Sequence, residues 1–244
     1  RTRLHTALLP ILRPFSRPYG AIMEKRRALY LAGRLERHRP AHPTVSLGNI
    51  SWGGTGKTPF TEWLLTWAEE RGLTAVVLTR GYGGTPGPTP LLVTEHTPPD
   101  RCGDEPLLLA RHSGCPVWVG RRRAEAGVAL LAAHPEVDIV LCDDGLQHYA
   151  LGRDVELAVF DARGVGNGWR LPLGPLRESL SRLATVDAVV CNGVVAADWP
   201  AVVPRFAMDL QPRHFHRLDE PDQRCAPEAL RQRAPLHALA GIGN

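Results

Sequence analysis

The run Gly48-Asn49-Ile50-Ser51-Trp52-Gly53-Gly54-Thr55-Gly56-Lys57-Thr58 constrains this chain more than any other. The apolar stretch Thr44–Leu47 precedes it and reads as a strand. The segment Pro59–Glu70 follows it with helical spacing. A glycine-rich turn from strand to helix that ends in Gly-Lys-Thr is the arrangement of a phosphate-binding loop. The residue types follow from that task. Glycines at 53, 54 and 56 allow a tight turn whose N–H groups converge on phosphate oxygens. The helix start adds its positive end. Lys57 brings a mobile charge to the β- and γ-phosphates, and the Thr58 hydroxyl is a ligand for Mg²⁺. Pro59 suits a first helical turn, where a missing N–H costs little. Ser51 stands where the general pattern has glycine, which narrows the backbone but leaves the Gly-Lys-Thr core intact. Only Lys25 and Lys57 are lysines among 29 basic residues. The bland alternative, a turn that binds nothing, does not explain that choice, and a nucleoside triphosphate is the expected ligand.

Such a loop also needs a carboxylate near the metal, at the end of a buried strand. The run Val137–Cys142 is apolar, and Asp143 and Asp144 follow it at the edge where ligands sit in open parallel sheets. Two adjacent acids repel unless a cation lies beside them. The alternative is a simple turn in which Gly145 takes a positive φ.

Around these motifs, short apolar runs alternate with helical stretches. Thr74–Thr79, Val117–Val119, Leu157–Phe160, Ala188–Cys191 and Leu236–Ala240 read as further strands. Glu105–Arg111 and Arg122–Ala133 read as helices, and Gly83–Pro90 as a loop. Residues 198–235 show no clear period. The pattern predicts an α/β fold with a largely parallel sheet covered by helices on both faces.

Charge divides the chain unevenly. Residues 1–39 hold ten Lys/Arg against Glu24 and Glu36, a local +8, so the remainder carries −4 of the net +4. The leader places Leu4, Leu8, Ile11, Phe15, Tyr19 and Ile22 three or four apart, with arginines between. Pro10, Pro14 and Pro18 predict short helical pieces rather than one helix. A basic amphipathic segment of this kind suits an anionic membrane surface; a helix packed on the body with a solvated arginine face is the other reading. No apolar run reaches the about 18–20 residues of a spanning helix. Five dispersed cysteines without a C-x-x-C pair exclude a disulfide framework or a zinc site of the usual spacing.

Further clusters follow in order. They are Thr79-Arg80-Gly81-Tyr82-Gly83-Gly84, Gly103-Asp104-Glu105-Pro106, Asp143-Asp144-Gly145-Leu146-Gln147-His148, Arg153-Asp154, Gly166-Asn167-Gly168 and Leu171-Pro172-Leu173-Gly174-Pro175-Leu176-Arg177-Glu178, with Ala240-Gly241-Ile242-Gly243 near the end. Each has a plain explanation alone, such as helix capping by Asp104 and Glu105. In succession, from about Val45 to Gly243, they resemble the tetraacyldisaccharide 4′-kinases of lipid A synthesis.

The resemblance implies a P-loop NTPase fold with an N-terminal membrane-associating segment, 1–40, and a kinase domain, 41–235. It implies transfer of the ATP γ-phosphate to the 4′-hydroxyl of an acylated glucosamine disaccharide 1-phosphate, with Mg²⁺, by a peripheral protein at the cytoplasmic face of the inner membrane. By motif, Ser51, Trp52, Gly53, Gly54, Thr55, Gly56, Lys57 and Thr58 bind ATP. Asp104 is the general base, with Glu105 beside it, and Asp143 and Asp144 join Thr58 at Mg²⁺. Arg80, Tyr82, Gln147, His148, Arg177 and Glu178 line the nucleotide and acceptor site. No nucleic acid and no protein partner are expected. Family members continue past the Ala-Gly-Ile-Gly segment, so 236–244 is expected to begin a C-terminal portion cut short at Asn244.

Two other classes remain. In nucleotide-switch ATPases with this loop, a lysine usually precedes the two glycines; Trp52 holds that position here. A guanine-specific N/T-K-x-D motif is impossible with lysines only at 25 and 57. The second class is a membrane-binding protein with a vestigial loop, against which Lys57, Thr58, Asp143 and Asp144 stand intact.

Overall fold

A computed structural model describes residues 2–193, 203–211, 214–216, 219–220 and 223–230. The chain opens with helix α1 (Thr2–Leu31), followed by β1 (Thr44–Gly48), α2 (Lys57–Glu69), β2 (Ala75–Thr79), β3 (Leu91–Val93) and α3 (Pro99–Cys102). Next come α4 (Asp104–Ser113), β4 (Val117–Val119), α5 (Arg123–Ala133), β5 (Ile139–Cys142) and β6 (Val155–Asp161). A 3₁₀ turn, Leu180–Thr185, leads to β7 (Ala188–Asn192), β8 (Arg205–Met208), β9 (Phe215–His216), β10 (Arg224–Cys225) and α6 (Pro227–Leu230).

Eight strands form one sheet in the order β3-β4-β2-β5-β1-β6-β7-β8. Every pair is parallel except the edge pair β3–β4. Alternation along each strand sends side chains to two cores. From β2, Val77 meets Leu65 of α2 and Leu109 of α4, while Val76 and Leu78 meet Ala126 and Leu130 of α5. From β6, Val159 packs with Phe60 of α2, while Ala158 and Phe160 pack with Leu176 and Leu183. Side chains buried to this depth contribute about 1.5–3 kcal/mol each. The α/β fold with a mainly parallel sheet covered on both faces is therefore as expected, and its strands leave the P-loop and the Asp pair on one edge.

Four differences from expectation have physical causes. The leader is one helix, not short pieces. Its prolines recur every four residues, so the lost hydrogen bonds line up along one side instead of breaking successive turns. Pro14 and Pro18 are exposed there, where water reaches the freed carbonyls. On the docking side, Ser16 Oγ donates to the Arg170 carbonyl (3.0 Å), Glu24 pairs with Arg170 (2.6 Å) and Arg27 donates to Thr185 Oγ1 (2.9 Å). Second, Ser16 and Gly20 are buried on the docked face, whereas of the apolar stripe Phe15 and Ile22 stay 62% and 64% exposed and Tyr19 is half-buried. Third, β3 and α3 occupy a stretch too short and mixed to show a period. Fourth, β8 lies inside the segment 198–235 that had none: only four residues long, it is anchored by its register on β7, Val189 opposite Arg205. The strand expected at Leu236–Ala240 lies outside the described residues.

Candidate active site

The P-loop leaves β1 and enters α2 through Gly56, whose φ of 87° is left-handed. Its first half is held from beside and below. Asn49 Oδ1 accepts the Ser51 N–H (2.9 Å), and the Asn49 carbonyl accepts Gln147 Nε2 (3.0 Å). The Trp52 N–H donates to the Pro175 carbonyl (2.8 Å), and the Arg177 N–H to the Ile50 carbonyl (2.6 Å). The Gly/Pro-rich segment 171–178 thus packs along the loop as a brace, which explains its composition.

β5 pairs with β1, so its last residues emerge beside the loop. Lys57 Nζ lies 3.7 Å from Asp144 Oδ1. Arg177 Nη1 donates to both Asp144 oxygens at 3.1 and 2.9 Å and lies 3.3 Å from Gln147 Oε1. Arg123 Nη1 donates to the Asp144 carbonyl (2.8 Å). Burial works to raise the Asp144 carboxyl, but Lys57 and Arg177 overcome it and hold it below the ordinary carboxylate range. Asp143 is fully inside. Burial first, then the Asp144 charge, push it up to about 6, against the pull of Lys57 and Arg123. The bend differs from the simple turn considered above: Asp144 itself takes a positive φ of 46°. Gly145 serves close approach instead, since a Cβ there would stand 2.4 Å from Ser46 Oγ and 2.9 Å from the Cys142 carbonyl.

Among the described residues, buried Asp143 Oδ1 has no hydrogen-bond partner. A carboxylate oxygen left open beside a lysine, with the Thr58 hydroxyl on the adjoining helix turn, is a hard-oxygen donor set that fits Mg²⁺. Glu178 sits lower, 6% exposed, where it accepts from Gln147 Nε2 (2.8 Å) and the Tyr149 hydroxyl and lies 3.6 Å from Arg182 Nε. Tyr149 in turn faces the Tyr30 ring of α1 at 6.2 Å between centroids.

Arg80, Tyr82, Asp104 and Glu105 stand at the same sheet edge, all exposed. Two glycine turns lock their loops together: a Cβ on Gly103 would lie 2.3 Å from the Tyr82 carbonyl, and one on Gly81 2.7 Å from the Cys102 carbonyl. This backbone contact fixes Tyr82 beside the start of α4, where Asp104 and Glu105 occupy the first turn. Burial and then Arg123, Arg26, Arg153 and Arg80 depress His148 to about 3, so its ring is neutral, with Nε2 buried and unpartnered.

The structure therefore gathers Lys57, Asp143, Asp144, Gln147, Arg177 and Glu178 into one linked cluster. It places Arg80, Tyr82, Asp104 and Glu105 on the rim. Asp154 falls at the other end of the sheet, where its carboxylate accepts the Thr44 N–H (2.9 Å) and Arg39 (2.6 Å). Two residues, Asn49 and Arg163, took roles that the sequence reading did not give them. Asn49 was visible only as the polar residue between strand and loop. The run Arg121-Arg122-Arg123 after a strand reads as meeting phosphate or starting a helix; Arg123 opens α5, is 3% exposed and braces the Asp144 turn. Arg163, at the end of β6, donates to the Gly54 carbonyl; its one signal is a place after a strand that neighbours β1.

Comparison with known proteins gives the family. A family model described as tetraacyldisaccharide-1-P 4′-kinase (LpxK) matches residues 8–244. A tetraacyldisaccharide 4′-kinase of Dechloromonas aromatica strain RCB is 57% identical over 208 residues, 85% of this chain and 62% of the relative. That of Idiomarina loihiensis is 43% identical over 244 residues, 100% of this chain and 71% of the relative. Among solved structures, "apo" form LpxK from Aquifex aeolicus in complex with ATP is similar with a TM-score of 0.72 and 30% identity, over 84% of this chain and 64% of that one. The chain thus spans about two thirds of the length of these relatives, and it belongs to the tetraacyldisaccharide 4′-kinase family.

Proposed function

We propose that this chain transfers the γ-phosphate of ATP to the 4′-hydroxyl of a tetraacylated glucosamine disaccharide 1-phosphate, with Mg²⁺, in lipid A synthesis. The observation that carries this reading is the Lys57–Asp144–Arg177 cluster set directly against a complete phosphate-binding loop. Phosphoryl transfer asks a protein for positioning and charge neutralisation more than for covalent chemistry. The backbone from Ser51 to Thr58 cradles the phosphates, and Lys57 neutralises charge that builds on the transferred group. Asp144 and Arg177 keep Lys57 on that side of the loop. Thr58 and Asp143, with Asp144 nearby, would hold Mg²⁺, which supplies further charge neutralisation when bound. Asp104, exposed on the rim at the start of α4, takes the proton of the attacking hydroxyl, with Glu105 beside it. Arg80, Tyr82 and His148 contribute the wall on the acceptor side.

The leader is read as the contact with an anionic membrane surface, at the cytoplasmic face of the inner membrane. Among the described residues no helix is long and apolar enough to cross a membrane. What supports the surface reading is that α1 leaves Phe15 and Ile22 exposed on the same side as Lys25 and Arg26 after docking its other face.

The test is transfer of label from γ-labelled ATP to the acylated disaccharide 1-phosphate, with the product's phosphate located at the 4′ position. Binding or hydrolysis of ATP without transfer would instead favour a nucleotide switch.

A further inference from the structure

We infer that Arg163 is a positioning residue that sets the crown of the phosphate-binding loop; the inference rests on the ATP reading above. β6 runs beside β1 and ends at Asp161, on the edge where the loop lies. Asp161 Oδ1 accepts the Arg163 N–H (3.0 Å), and its Oδ2 accepts Nε (2.7 Å) with Nη2 also at 2.7 Å. This clamp fixes the direction of the guanidinium. Its Nη2 donates to the Gly54 carbonyl. Gly53 lies just beneath: a Cβ there would stand 3.5 Å from both Nη1 and Nη2.

The consequence follows from peptide geometry. In a trans peptide the C=O of one residue and the N–H of the next point in opposite directions. A guanidinium that draws the Gly54 carbonyl outward therefore turns the Thr55 N–H inward, toward the space the phosphates occupy. That peptide turns about ψ of Gly54 and φ of Thr55, and Gly54 has no Cβ to resist it. Without an outside anchor the crown has many orientations, and only some of them present the amide. A role in holding the fold is the competing explanation. It is disfavoured because the Arg163 side chain is 50% exposed and its partners are a neighbouring acid and a loop carbonyl, not the core.

An amide oriented before the nucleotide arrives serves ground state and transition state alike, so it affects KM for ATP and not kcat. Calorimetric titration of the full chain with ATP and MgCl₂, beside the transfer assay, tests this. Arg163→Ala should weaken ATP binding by about tenfold, the worth of one charge-assisted hydrogen bond. It should raise KM for ATP to match and leave kcat and the melting temperature in place. Arg163→Lys should recover part of the affinity. Asp161→Asn should weaken binding in the same direction, and the double variant Asp161→Asn/Arg163→Ala should be no worse than Arg163→Ala. Unchanged ATP affinity in Arg163→Ala overturns the inference, and so does a fall in kcat at constant KM. Failure of the unaltered chain to bind ATP would sink the ATP reading itself, a result distinct from either.

Discussion

Lys57 Nζ lies 3.7 Å from Asp144 Oδ1, and the same carboxylate holds Arg177 at 2.9 Å. Asp144 thus has two cations, and only one of them belongs to the phosphate-binding loop. Removing Lys57 leaves Asp144 paired with Arg177, and buried Asp143, freed from the pull of Lys57, takes up a proton more readily instead of standing as an isolated charge. Lys57→Ala should therefore lower the melt far less than it lowers transfer. Phosphate transfer should fall by on the order of 10²–10³, the range for losing a donor to developing charge. A label-transfer assay beside a thermal melt checks both. Retained transfer would remove Lys57 from the chemistry.

Asp104 heads α4 on a turn pinned by Gly81 and Gly103. In the proposed role of general base it would act on the hydroxyl, not on the nucleotide. Asp104→Asn should lower kcat on the order of 10²–10⁴ while ATP affinity stays near that of the unaltered chain. The two readouts are single-turnover rates and nucleotide titration. Equal loss of both would make Asp104 a helix cap or a binding residue.

Much of this site is legible in the amino-acid order because its parts are local. The loop from Ser51 to Thr58 lies within one strand–turn–helix unit, and Asp143 and Asp144 sit at the end of one apolar run. What brings Arg163 to Gly54 is different in kind. The contact spans 109 residues and exists because β6 lies beside β1. No period or motif encodes it. The leader fails for a related reason. Proline forbids a helix hydrogen bond locally, but the docking of Ser16, Glu24 and Arg27 onto residues 170–185 outweighs that local preference.

His148 titrates in the folded state near 3, below its ordinary 6.5, because burial and surrounding arginines disfavour the charged ring. Between those values the unfolded chain binds the proton and the folded chain does not. Its effect on stability is therefore absent above about pH 6.5, and stability is lost as pH falls toward 3. His148→Gln removes that titration. Relative to this variant, the unaltered chain should lose up to about 1.4 kcal/mol for each pH unit below 6.5. Denaturant melts of both proteins at several pH values give the difference. Parallel curves would contradict a buried neutral ring.

Glu178 accepts from Gln147 and Tyr149 and lies near Arg182, all below the loop. Glu178→Ala strips a buried acceptor from two donors, Gln147 and Tyr149, and a nearby negative charge from Arg182, and should destabilise the chain by about 3 kcal/mol. Glu178→Gln keeps the shape and an acceptor oxygen, so it should cost less than half as much. If both variants melt like the unaltered chain, the brace along the loop does not depend on this carboxylate.

The leader separates into two functions that different substitutions address. Gly20 lies under the Arg170 guanidinium, where a Cβ would stand 1.8 Å from Nη1. Gly20→Leu should push the Arg170 guanidinium aside, breaking its pair with Glu24, and lower the melting temperature. Phe15 and Ile22 are exposed on another side of the helix. Phe15→Ser with Ile22→Ser should leave the melt unchanged and weaken binding to anionic vesicles, by about 1–3 kcal/mol for each apolar side chain withdrawn from the lipid. Salt should weaken binding of the unaltered chain as well, because Lys25 and Arg26 lie on the exposed side with them. Co-sedimentation with vesicles at low and high salt reads both effects. Vesicle binding that ignores the double serine change and the salt would leave α1 as a packing helix with a solvated basic face.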